Sequence, residues 1–220
     1  MTVLVPTRVD DALTLLAEDP RRHVLAGGTD FMVEVNYGAR RPLGVVSLRS
    51  LDELRGWRRR GDELILGAGL RFVDMLRPEF LAVAPGLAQA ARTVGSAQIR
   101  STGTLGGNIA TASPAGDALP VLYALDAAVS VASVRGERTL PISELIIGVK
   151  QTTLADDELI LSNREGIVFD PAFMWIKLLE LALRHANDMA SIVKYNSTSV
   201  RRTLIECNDM VHGDKTSSQV

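Results

Sequence analysis

Only one cysteine, Cys207, occurs in the 220 residues. A lone thiol excludes an internal disulfide framework and a cysteine-ligated iron–sulfur cluster inside the chain, and it fits a reducing compartment. Aromatic residues are scarce at 5%, and 24 basic against 26 acidic residues leave a net charge of −2. That balance argues against a nucleic-acid partner or an acidic membrane surface. The one basic run, Arg58-Arg59-Arg60, is assigned to an exposed hairpin because Gly61-Asp62 follows it. No stretch approaches the ~18 uninterrupted apolar residues of a membrane helix. The opening MTVLVPTRVDDALTLL carries acidic residues in its apolar region and no small-residue cleavage pattern, so it does not read as a signal peptide. A soluble cytoplasmic protein is expected. His23, His185 and His212 have no partners at metal-ligand spacing, so no metal site is expected. A P-loop is absent, and neither Ser101 nor Ser113 has a sequence-level base that would make it a nucleophile. Asp156, Asp157 and Glu158 read as a solvated turn or a helix start, and no catalytic residue is assigned.

What the chain does have is 46% hydrophobic residues, enough for a sizeable core, and two glycine-rich stretches. Val3–Val5 reads as a strand stopped by Pro6. A helix capped by Thr7 follows, with Val9, Ala12, Leu13, Leu15 and Leu16 at helical spacing. Val24–Ala26 reads as a second strand running into Gly27-Gly28-Thr29-Asp30, then a helix from Phe31 to about Gly38 and a strand Val45–Leu48. Alternating strand and helix predict a small α/β subdomain over residues 1–50. Residues 51–165 read as a larger α+β subdomain. It holds a hairpin over 57–67, helical stretches at 72–76 and 81–99, and strands at 128–134 and 138–141. The second stretch, Ser101 to Asp126, reads as a long loop with Gly103, Gly106, Gly107 and Gly116 that ends in a helix capped by Asp117. Dense glycine admits positive φ and lets successive N–H groups face an anion such as phosphate. Each glycine loop alone reads equally as a turn. Two that each feed a helix point to a nucleotide cleft between the subdomains. Residues 166–220 differ, with an amphipathic helix at 173–186 and a polar tail.

AGGTDFMVEVNYGARRP (residues 26–42) and STGTLGGNIATASPAGDALPVLYALDAAV (residues 101–129) resemble the two flavin-binding motifs of the FAD subunit of molybdenum hydroxylases. That subunit is the medium chain of the xanthine, carbon monoxide and aldehyde dehydrogenase group. The likeness extends from Val3 to about Ile160 and includes LDELRGW and ELIIGVKQTTLADDELI. It implies an α+β, two-subdomain FAD-binding fold of the vanillyl-alcohol oxidase and p-cresol methylhydroxylase type, here with an incomplete C-terminal domain. It also implies that Ala26, Gly27, Gly28, Thr29 and Asp30 wrap the FAD diphosphate. Thr104, Gly106, Gly107 and Asn108 would face them, with Thr111 and Asp117 completing the polar contacts. Asp30 and Asp117 read equally as helix caps, Asn108 as a turn residue, and Thr29 and Thr104 as partners of local backbone.

In the family a molybdopterin subunit hydroxylates substrate, and an iron–sulfur subunit passes electrons to FAD, which hands them on, often to NAD. The resemblance therefore implies a FAD-dependent electron-transfer subunit that acts only with partners. The alternative is an assembly or interaction remnant of the fold that binds no flavin. A self-contained FAD oxidase ranks below both, because no substrate domain with its own acid or base is evident.

Overall fold

The computed structural model describes residues 2–60 and 63–166. The amphipathic helix and polar tail expected over 166–220 lie outside the described residues beyond Gly166. The first strands, β1 (Thr2–Leu4), β2 (Arg22–Leu25) and β3 (Gly44–Ser47), form a parallel sheet in the order β1-β3-β2. Two helices make the crossovers, α1 (Val9–Glu18) and α2 (Phe31–Asn36). β3 is buried at every position because it is central, as parallel strands covered on both faces are. Thr7 does not cap α1. The N-cap is Arg8, without a side-chain bond, and the Glu53 carboxylate instead accepts from the Val9 amide at 2.8 Å.

The hairpin strands β4 (Trp57–Arg60) and β5 (Glu63–Gly67) pair antiparallel, as the sequence predicts. They belong to a five-stranded sheet in the order β4-β5-β10-β6-β7, with β6 (Ala128–Ser133), β7 (Gly136–Pro141) and β10 (Leu159–Gly166). A bulge between Ile160 and Ser162 shifts the β10 register, and the Leu161 carbonyl accepts from the Ala68 amide.

Helices cover one face of this sheet: α3 (Phe72–Met75), α4 (Pro78–Leu81), α5 (Pro85–Thr93), α6 (Ala97–Thr102), α7 (Leu105–Thr111), α8 (Leu119–Ala124) and α9 (Ile142–Leu145). The single helix expected over 81–99 is broken twice. Pro85 restarts the chain at the N-terminus of α5, and Gly95, at φ +39°, turns it after Thr93. The guanidinium of Arg100 bonds the Val94 and Gly95 carbonyls at 3.0 Å each, which fixes that break. The main core joins Leu66, Phe80, Leu87, Leu105, Ile109 and Leu122. A smaller core packs α1 through Ala12, Leu13 and Leu16 against Leu54, Ala132 and Leu159, so α1 seals onto the larger sheet. The hairpin strands β8 (Ile146–Gly148) and β9 (Gln151–Thr152) complete the described fold.

Candidate functional site

The two glycine stretches meet. β2 leads into Ala26-Gly27, and Gly28, at φ +75°, turns the chain into α2. A Cβ on Gly27 would lie 2.1 Å from the Thr102 carbonyl oxygen and 2.8 Å from Gly103 Cα, so the two backbones touch and only glycine fits. On the other side, a Cβ on Gly106 would lie 2.6 Å from Ala68 Cβ. There the chain docks by hydrogen bonds: the Gly106 amide donates to Ala68 O at 2.8 Å and the Leu105 amide to Leu70 O at 2.9 Å.

The second stretch is not the open loop that its composition predicts. Helix α6 runs to Thr102, and α7 begins at Leu105 with Thr104 as N-cap, its hydroxyl accepting from the Gly107 amide at 3.2 Å. Gly103, Gly106, Gly107 and Gly116 are absent from the residues with positive φ. Gly103 and Gly106 are glycine for close packing, Gly103 lying over the Phe72 ring. The amides of Leu105, Gly106, Gly107 and Asn108 are all bonded within the protein. By contrast, the amides of Gly27 and Thr29 have no acceptor among the described residues. Unbonded amides are therefore left in the first stretch, while the second presents a close, rigid wall.

A cleft of about 480 Å³ opens along this contact. Of the residues expected to bind, Ala26, Gly27, Thr104, Gly106 and Gly107 line it; Gly28, Thr29, Asp30, Asn108, Thr111 and Asp117 do not. Asp30 is exposed at the start of α2 and makes no side-chain cap bond. Thr29 is half-buried beside it, and Thr111 is half-buried at the end of α7. Asp117 does not cap the following helix, which starts behind Ala118 without a side-chain cap. Burial pushes the pKa of its carboxyl up, opposed by the nearby Thr93 hydroxyl and its own amide. Asn108 Oδ1 is buried with no hydrogen-bond partner among the described residues. A buried orphan acceptor is costly unless something donates to it.

Further cleft residues carry no motif. Arg49, Arg55 and Arg71 bring guanidinium groups, while Val24, Leu48, Leu154 and Ile160 give an apolar lining. Arg71 pairs with Asp74 at 2.8 Å and Arg55 with Asp52 at 3.1 Å; the Arg49 side chain has no partner among the described residues. The sequence did carry a signal for Ala68 and Gly69, which lie in the Gly-Ala-Gly following β5. Of the acidic trio, Asp156 and Glu158 line the cleft. Arg135 holds Asp157 and Arg138 holds Glu158, so both carboxyls lie below the usual carboxylate range, chiefly through these hydrogen bonds. Free amides, a cationic rim and apolar walls together match a ligand with phosphates and an aromatic portion. Among the described residues there is no group of His, Cys, Asp and Glu arranged to hold a metal. No helix among them is long and apolar enough to cross a membrane.

Comparison with known proteins gives the same answer. Residues 1–163 match the FAD binding domain in molybdopterin dehydrogenase. The chain is similar to the caffeine dehydrogenase subunit beta of Pseudomonas sp. (strain CBB1), 34% identical and covering 83% of this chain and 62% of that protein. It is 35% identical to the nicotinate dehydrogenase FAD-subunit of Eubacterium barkeri, covering 65% of this chain and 49% of that one. In structure it resembles carbon monoxide dehydrogenase from Hydrogenophaga pseudoflava, with a TM-score of 0.73 and 28% identity over 76% of this chain and 58% of that chain. The matched part thus spans half to three-fifths of these relatives' lengths. The mixed α+β, two-subdomain fold read from the sequence is the fold these structures share. The chain belongs to the family of FAD binding domains found in molybdopterin dehydrogenases.

Proposed function

We propose that the chain binds FAD in the cleft between the parallel sheet and the five-stranded sheet and serves as the electron-transfer subunit of a molybdenum hydroxylase. The observation that carries this reading is the pairing of an unbonded amide stretch at Gly27 and Thr29 with a glycine wall at Gly106-Gly107. Family membership names the ligand that such a cleft takes. FAD, when bound, supplies the redox chemistry of accepting electrons singly and releasing them as a pair.

The chain's own part is to bind and orient. Gly27 donates its backbone N–H to the diphosphate from the cleft lining and Thr29 from the cleft edge, and Gly28 gives the turn that aims them. Gly107 leaves the cleft open where any side chain would intrude toward Ala26, which lies 3.9 Å from the Cβ position. Asn108, whose Oδ1 is buried behind the lining, backs the glycine wall rather than meeting the ligand. Val24, Leu48 and Ile160 exclude water from the ring-bearing part. Asp30, Thr111 and Asp117, set outside the cleft lining, act at its edge. In this reading electrons arrive from an iron–sulfur subunit fed by a molybdopterin subunit, and leave to NAD or another acceptor.

The experiment is a visible absorption spectrum of the purified chain titrated with FAD. Flavin bands that survive gel filtration are expected. A folded, colourless protein that ignores added FAD would contradict the proposal and leave an assembly or interaction remnant of the fold.

A further inference from the structure

The helices that follow the two glycine stretches are joined by one residue outside both motifs. Lys150, in the turn between β8 and β9, donates its amide to the Ala112 carbonyl at 2.9 Å. Ala112 is the left-handed C-cap of α7, so this bond fastens the end of the helix that carries Gly106 and Gly107. The same residue's ammonium lies 3.5 Å from Glu34 Oε1 on α2, the helix that the first glycine stretch opens. Glu34 is itself held: its other oxygen accepts from Arg40 Nε at 2.7 Å, and its carbonyl accepts the Ala39 and Arg40 amides at 2.9 and 3.1 Å. Arg40 reaches on to His23 Nδ1 in β2 at 3.2 Å and lies 5.5 Å from the Phe31 ring centroid. A guanidinium only donates, so Nδ1 of His23 is the acceptor and the ring is neutral in this contact.

Lys150 does this from a backbone that lysine rarely adopts, with φ at +54°. Such a conformation persists only when the surroundings hold it, and here both ends of the residue are held.

We propose that Lys150 is a positioning residue for the cofactor, a staple that sets the separation of the two glycine stretches by gripping α7 through its backbone and α2 through Glu34. The inference rests on the FAD reading above for its consequence, but not for its geometry. Loosening the staple widens the cleft at the Ala26–Gly107 approach, so bound FAD leaves faster while the sheets and their cores stay intact.

The test uses the full chain with Lys150→Asn, Lys150→Arg, Glu34→Gln and the double variant Lys150→Asn/Glu34→Gln. Asparagine tolerates the left-handed backbone and removes only the cation, which separates charge from strain. FAD release is followed by recovery of flavin fluorescence, and amide hydrogen exchange is measured without FAD. Lys150→Asn and Glu34→Gln should each speed release about two- to fivefold, the range of an exposed ion pair. The double variant should be no faster than Glu34→Gln alone, because that change already removes the Lys150 contact along with the Arg40 ion pair. Lys150→Arg should restore the wild-type rate. Exchange at residues 31–40 should quicken in Lys150→Asn, with residues 128–141 unchanged. Additive single effects or unchanged release in Lys150→Asn would overturn the proposal. A wild-type chain that takes up no FAD would sink the functional reading alone; the exchange data would then decide the staple, and unchanged exchange at 31–40 would reject it.

Discussion

The two glycine stretches look alike in sequence and do different physical work. At residues 26–30 the backbone leaves a strand, turns at a positive-φ Gly28, and presents amides that nothing in the described protein accepts. At residues 104–108 every amide after Thr104 is already bonded, and the glycines permit contact: Gly106 against Ala68, and Gly103 against Phe72. One stretch keeps unbonded donors and the other is a wall. Glycine richness alone does not distinguish these roles, since both a phosphate cradle and a close backbone crossing require the missing Cβ.

The contrast is broken most severely by adding a methyl where backbones touch. Gly27→Ala and Gly106→Ala place a Cβ within 2.1 and 2.6 Å of fixed atoms, and each should cost about 1–3 kcal/mol or more by overpacking. Thermal unfolding should show losses of several degrees, with FAD uptake lost alongside. Gly107→Ala sharpens the comparison. Its Cβ would meet Thr104 Oγ1 at 3.0 Å and otherwise the open cleft, and alanine in a helix gains up to about 1 kcal/mol over glycine. The melting temperature should therefore hold within a few degrees while FAD affinity drops about tenfold or more. Equal losses of stability for Gly106→Ala and Gly107→Ala would erase the distinction.

Thr104→Val keeps shape and deletes the cap that engages the Gly107 amide. The expected loss is about 1 kcal/mol in chemical denaturation, and no loss would mean that the amide finds another acceptor.

The smallest effect is on pH. His23 is held below its ordinary pKa first by burial and then by the Arg40 charge, opposed by Asp156 and Glu34. The unfolded chain therefore takes up this proton more readily than the folded one. The contribution is fully present above the ordinary histidine value of about 6.5 and is lost as pH falls from there through the lower folded value. Melting temperature should decline modestly from pH 7.5 to 5.5, and His23→Gln should flatten that part of the profile. Glu34 adds a decline at lower pH. Burial acts to raise its pKa, but the Arg40 bond and charge and then Lys150 outweigh it, so its stabilisation goes as pH drops through its depressed folded value.

Much of this was legible in the chain because it is local. Alternation of Val24–Leu25, a glycine turn and the α2 pattern marked β2 and α2, and the pairing of β4 with β5 followed from their flanking patterns. What the sequence concealed depends on partners far along it. The second stretch folds as helix because Leu105 and Ile109 bury fully in the main core, which overrides the loop reading of its glycines. Asp117 leaves the N-cap of its helix to Ala118, and Glu53 caps α1 from forty-four residues away. Arg49 and Ile160 reach the cleft through sheet topology, for which a linear motif holds no mark.

The central claim, one donor stretch and one wall, is tested most directly by amide hydrogen exchange with and without FAD. FAD should slow exchange at residues 27–30, while residues 105–108, already bonded, should exchange slowly in both states. Protection gained at 105–108 with none at 27–30 would contradict it.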